Sequence, residues 1–80
     1  MENTMVLSKA KKGASVKILS FSNELKHKTI MTGLGILPGD SVYIVAPSFL
    51  GSPLTLRLTD GETVALRLSE ASFINVEEMQ

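Results

Sequence analysis

The chain is notable first for what it lacks. It has no cysteine among its 80 residues, so neither a disulfide framework nor a thiolate metal site can be built. Tryptophan is also absent and Tyr43 is the single tyrosine. The aromatic-lined groove that reads proline-rich peptides therefore has no usual material. Aromatic residues make up 5% of the chain, too few for the row of stacking rings that single-stranded nucleic acid wants. No apolar run approaches the roughly 20 residues needed to span a bilayer. The first residues, Met1 to Thr4, lack the basic flank and long apolar stretch of a secretory signal. These absences point to a cytoplasmic protein that is not embedded in a membrane. The length fits one domain over 1–80, with a core at about 7–77.

Catalytic patterns are missing as well. No G-x-x-x-x-G-K-[ST] run is present to cradle a phosphate. The serines have one histidine to share, His27, and nothing marks a carboxylate that would orient it. His27 sits between Lys26 and Lys28, which disfavour both its protonation and a bound cation. It is the weak candidate metal ligand, and a solvated position on a helix face is the plainer reading. Glu77-Glu78 could hold a hard cation only loosely. No cluster of converging nitrogen, sulfur or carboxylate ligands is visible. The expectation is a non-enzymatic protein with no catalytic residues and no cofactor of its own.

Net charge is +0, but it is unevenly distributed. Residues 1–28 hold six lysines (9, 11, 12, 17, 26 and 28) against Glu2 and Glu24. Residues 29–80 hold Arg57 and Arg67 against Asp40, Asp60, Glu62, Glu70, Glu77 and Glu78. Folding can interleave these into a mixed surface, or leave a basic face that steers toward an acidic partner.

What is present is strong punctuation. Leu7 to Gly13 reads as a lead-in that ends in a turn. Ala14 to Phe21 alternates, with Val16 and Ile18 on one side, and reads as the first strand. Leu19 and Phe21 fall on the other side, which suggests that they pack under a helix. Ser22 or Asn23 can cap that helix, expected over Glu24 to about Leu34 with Leu25, Ile30, Met31 and Leu34 as its apolar positions. Gly33 costs the last turn up to about 1 kcal/mol relative to alanine. Gly35 suits a left-handed helix stop, and Pro38-Gly39 the centre of a type II turn. Residues 40–46 form the second strand. The loop from Pro47 to Pro53 carries Phe49 and Leu50, which either cover an open barrel end or are offered to a partner or a second copy. Leu54 to Leu58 is the third strand. Asp60-Gly61 predicts a two-residue type I′ hairpin into a fourth strand, 64–68. Leu54, Leu56 and Leu58 should share a face with Val64, Leu66 and Leu68. Ser69 caps one helical turn, and Phe73 to Glu77 is the fifth strand.

These elements predict a mainly β fold: a small SH3-like barrel of about five strands, with a short α-helix inserted after the first. Barrel closure would remove the exposed sheet edges. The OB-fold is the nearest competitor, but its helix usually lies between the third and fourth strands, where this chain has a hairpin.

Across almost the whole length the chain resembles the FeoA family, small ferrous iron transport proteins A. The residues that carry the likeness are Leu7, Gly13, Val16, Ile18, Leu25, Met31, the run Leu34-Gly35-Ile36-Leu37-Pro38-Gly39, Val42, Ile44, Pro53, Ala65-Leu66-Arg67, Ala71, Ile74 and Val76. Met31 stands where that family commonly has leucine, and Gly33 departs from its helix pattern. The resemblance implies an SH3-like barrel and an accessory role beside FeoB, the membrane transporter of ferrous iron with a cytoplasmic G-protein domain. Fe2+ association is compatible with that role but has no ligand set in the sequence. The barrel also occurs behind the helix-turn-helix of diphtheria-toxin-type repressors, and no such DNA-reading module is expected here. Lys26, Lys28, Phe49 and Leu50 are the candidate partner contacts. A nucleic-acid-binding barrel is the alternative reading, motivated by the lysines.

Overall fold

The computed structural model describes residues 4–26, 28–49 and 52–79. Six strands occur: β1 (Thr4–Val6), β2 (Ser15–Phe21), β3 (Ser41–Ala46), β4 (Leu54–Arg57), β5 (Thr63–Leu66) and β6 (Ile74–Glu78). A 3-10 turn at Leu7–Lys9 follows β1. Helix α1 (Lys28–Leu34) follows β2, and α2 (Leu68–Ala71) joins β5 to β6. The strands form one antiparallel sheet in the order β1-β6-β2-β3-β4-β5. The sheet curls so that its inner face makes one core, in which Leu7, Val16, Ile18, Met31, Ile36, Ile44, Leu54, Leu56, Leu66, Ile74 and Val76 are fully buried. The fold is mainly β and SH3-like, as the sequence predicts.

One strand more is present than the pattern reveals. Thr4, Met5 and Val6 pair with Glu77, Val76 and Asn75, a contact between the two ends of the chain. Among the described residues no ladder joins the edge strands β5 and β1. Register defines two rims. On the upper rim β2 begins, β3 ends, β4 begins and β5 ends; on the lower rim β2 ends and β6 begins. Both the segment after β1 and the α2 segment must cross from one rim to the other. They pack on each other, and the Ser72 and Ser8 hydroxyls lie 3.4 Å apart. Helical segments thus occupy the seam that a ladder would otherwise close.

Helix α1 starts four residues later than the expected Glu24. The Leu25 N–H donates to Ser22 O at 3.0 Å, and the Glu24 N–H donates to Ser22 Oγ at 3.2 Å. Ser22 thus closes a turn instead of capping a continuous helix. The reason is geometric. In one helix Leu25 and Met31 would point about 120° apart, yet both are buried. Breaking the helix lets both reach the core. Its end follows the sequence closely: the Ile36 N–H donates to Met31 O at 2.9 Å and the Gly35 N–H to Thr32 O at 3.0 Å. Gly35 has φ +88°, which completes a Schellman stop. In the next turn the Asp40 N–H donates to Leu37 O at 3.0 Å, with Gly39 at φ +97°, as a type II turn requires.

The β4–β5 connection has three residues, Thr59 to Gly61, not two. The Gly61 N–H donates to Leu58 O at 3.0 Å and the Leu58 N–H to Glu62 O at 2.8 Å. This is the turn-plus-glycine form of hairpin. The added residue sets the pairing Leu54↔Leu66 and Leu56↔Val64, which brings the leucines to one face. A two-residue loop would have put them out of phase. Strand β5 stops at Leu66, so Leu68 belongs to α2 and is 51% exposed. The cap of α2 is Arg67 instead of Ser69, and the Arg67 N–H donates to Glu70 Oε1 at 3.1 Å.

Strand β2 carries a bulge. Ile18 pairs with Val76 but Ser20 pairs with Asn75, which leaves Leu19 unpaired. The bulge reverses the alternation after it. Phe21 is thereby turned onto the core, while Leu19 stays outside and 37% exposed. The expectation that both pack under the helix is corrected: only Phe21 is taken in.

Candidate interaction site

Lys26 is the candidate residue that the fold sets into a recess. A cleft of about 650 Å³ lies between the Ser22–Lys26 turn and α2, lined by Glu24, Leu25, Lys26, Ser69, Glu70 and Phe73. The turn is held by Ser22. The opposite wall is held by the Ser22 N–H, which donates to Phe73 O at 2.8 Å. Leu25 is buried and Phe73 half-buried against the core, so they supply an apolar floor. Glu24 and Lys26 on one side and Ser69 on the other are exposed. Glu70 is occupied in part by the Arg67 N–H. An apolar floor with a few charged groups at its edge suits an anchoring side chain from a partner.

Phe49 lies on the other rim. It is 70% exposed, so it does not cover the barrel end. Two serines beside it hydrogen-bond: Ser48 Oγ donates to Ser52 O at 2.8 Å, and the Phe49 N–H donates to Ser52 Oγ at 3.2 Å. Lys26 follows the end of β2 and Phe49 the end of β3, strands that run antiparallel, so these two candidate partner contacts lie at opposite ends of that strand pair. Lys28 is exposed at the start of α1. Leu50 and His27 lie outside the described residues. Among the described residues no three histidine, aspartate or glutamate side chains gather as a metal site would need. No described helix is long and apolar enough to cross a membrane.

Sequence reasoning missed the cleft because its walls lie some 45 residues apart in the chain, at Glu24–Lys26 and Ser69–Phe73. The one local signal was Phe73 beside the helical turn. A second exposed aromatic, Tyr43, sits on the outer sheet face, with the Arg57 guanidinium 5.8 Å from its ring centre.

The six strands of the described residues form a small SH3-like domain with an apolar-floored cleft on one side. The model of the FeoA domain matches residues 5–78, and the chain belongs to the FeoA family. A FeoA-like protein from Clostridium acetobutylicum is similar in structure, with TM-score 0.84 and 31% identity, over 100% of this chain and 92% of that one. The FeoA of Stenotrophomonas maltophilia, solved in complex with zinc, is similar at TM-score 0.74 and 28% identity, over 90% of this chain and 88% of that one. That protein is described as a procaryotic SH3 domain protein and suggested as a ferrous iron transport activating factor. A manganese-dependent transcriptional repressor shares the fold alone, at TM-score 0.86 and 16% identity, over 99% of this chain and 38% of that one. No curated protein matches the sequence.

Proposed function

We propose that the chain is a cytoplasmic accessory protein of ferrous iron uptake that binds the FeoB-type membrane transporter. It acts by contact, without turnover and without a bound cofactor of its own. The observation that carries this reading is the family match over residues 5–78. The suggested role of the Stenotrophomonas relative as a transport activating factor supports it. The cleft beside Lys26 is the surface assigned to the transporter: Leu25 and Phe73 receive an apolar anchor, and Lys26 sits at its edge. Binding that favours one state of the transporter's G-protein domain would shift its nucleotide cycle.

Two measurements test this. Deleting the gene should lower ferrous iron uptake. Ser69→Trp, which fills the cleft from an exposed position, and Lys26→Glu should each reduce co-purification of the transporter while leaving the melting temperature close to that of the parent protein. Uptake unaffected by deletion would end the proposal.

A further inference from the structure

The sheet ends on β5, which is paired on one side, with β4. The Leu58 N–H donates to Glu62 O at 2.8 Å, so these two residues form a hydrogen-bonded pair. In an antiparallel ladder such pairs alternate with pairs whose backbone groups point away from each other. Leu56↔Val64 and Leu54↔Leu66 are therefore bonded, while Thr63 and Ala65 turn their N–H and C=O groups off the edge. Both residues are exposed, although α2 and the turn at Leu7–Lys9 pack together in the seam beyond. Among the described residues neither has another hydrogen-bond partner. Edges of this kind are commonly guarded by a charge, a proline or a bulge. Thr63 to Leu66 include no charge and no proline, and their register with β4 is unbroken. Charge lies instead at the two ends of the strand, with opposite sign. Asp60 and Glu62 precede it and Arg67 follows it, all three exposed. Two further charges stand beside these. Arg57, opposite Thr63, has its guanidinium 5.8 Å from the Tyr43 ring centre, and Glu70 accepts from the Arg67 N–H.

We propose that the β5 edge is an interface for a second copy of this chain, formed by antiparallel pairing of β5 with β5 about a two-fold axis. An edge with opposite charges at its ends is complementary to itself when reversed, as an isologous contact requires. The outward groups choose the register. Only with Val64 opposite its own copy does Thr63 meet Ala65 of the second copy, so that both outward residues are bonded. The Glu62 turn at one end and the α2 cap at Arg67 at the other limit the ladder to this length. In this register Gly61 faces Arg67 of the second copy, which brings that guanidinium beside Asp60 and Glu62. Opposite charges placed across strands stabilise a pair. On the core side Val64, half-buried and packed against the core, meets its own copy across the axis. Backbone pairing of this kind is the mode by which sheet edges take up an added strand. A ladder this short makes a small interface, so the dimer is weak and concentration-dependent.

Sedimentation equilibrium of the full chain tests the proposal with no transporter present, so its failure and the failure of the transporter reading are distinguishable. Between about 20 μM and about 2 mM the chain should pass from monomer toward dimer and no further. Over the same range hydrogen exchange at the Thr63 and Ala65 amides should slow, while the Val64 and Leu66 amides are protected throughout. Glu62→Arg and Arg67→Glu should each weaken the dimer several-fold or more, because each sets like charges together at both ends of the ladder. An equimolar mixture of these two variants should associate again, since every facing pair is then opposite in charge. Ala65→Pro removes an outward N–H from an edge position, where proline is tolerated, and should abolish the dimer. Melting curves show which variants are folded, and the mixing experiment does not depend on the proline variant. A chain that stays monomeric to about 2 mM with the Thr63 and Ala65 amides still exchanging fast would overturn the proposal. Growth beyond a dimer would overturn it in favour of head-to-tail pairing of β5 with β1. A dimer indifferent to both charge reversals would place the interface elsewhere and also overturn it.

Discussion

Replacing Gly35 and Gly33 by alanine, one at a time, should move stability in opposite directions although only Leu34 separates them. Gly35 closes α1 with φ +88°. A methyl group there meets only Leu58 Cδ1, at 3.6 Å, an ordinary contact, so the penalty is conformational. An L-residue forced into the left-handed region costs about 1–2 kcal/mol. Gly33 lies inside α1 with no atom within 4 Å of an added Cβ, and alanine there recovers up to about 1 kcal/mol of helix propensity. For a domain of this size 1 kcal/mol is about 4–8 °C in melting temperature. Gly35→Ala should therefore melt lower by about 4–16 °C, and Gly33→Ala higher by up to about 8 °C. Urea titration read by circular dichroism provides a second measure, with the midpoint moving and the slope unchanged. A neutral Gly35→Ala, or a destabilising Gly33→Ala, would refute the assignment of the helix stop.

Other substitutions test the bulge, the hairpin and the α2 cap. Ile18→Ala should cost about 2–5 kcal/mol, as a fully buried isoleucine leaves a cavity. Leu19→Thr, one residue on at the bulge, should stay within about 1 kcal/mol of the parent; equal losses at the two sites would contradict the register. Asp60→Ala removes the Oδ1 that accepts the Glu62 N–H at 2.9 Å and should cost about 0.5–1.5 kcal/mol in urea titration. Glu70→Ala frees the Arg67 N–H and should cost about 0.5–2 kcal/mol.

The sequence was most legible where local chemistry decides. Gly35, Pro38 and Gly39 constrain the backbone on their own, and the helix stop and type II turn fell where those residues place them. Asp60-Gly61 announced the hairpin but not its length. Gly61 at φ +92° can close either loop, and the leucines on both strands choose the three-residue form because it alone puts them in phase. The strand β1 was hidden because three residues carry too little periodicity and their partner, β6, is at the far end of the chain. The bulge at Leu19 was hidden for a related reason: alternation looks unbroken in sequence, and only the demand of the core for Phe21 interrupts it. The helix began late because Leu25 and Met31 must both be buried. The candidate site was half legible. Lys26 and Phe49 stood out as a charge and an exposed ring. Their separation onto two rims, and the wall that Ser69 to Phe73 adds beside Lys26, depend on long-range pairing.

The central claim is that this domain works by occupying a transporter through the cleft between Ser22–Lys26 and α2. It is tested most directly by titrating the purified chain onto the FeoB-type transporter held in bilayer discs of uncharged lipid. The account predicts saturable binding that Ser69→Trp abolishes or weakens at least tenfold, which is about 1.4 kcal/mol, with the variant still folded. Absence of binding by the parent chain, or equal binding by Ser69→Trp, would contradict it.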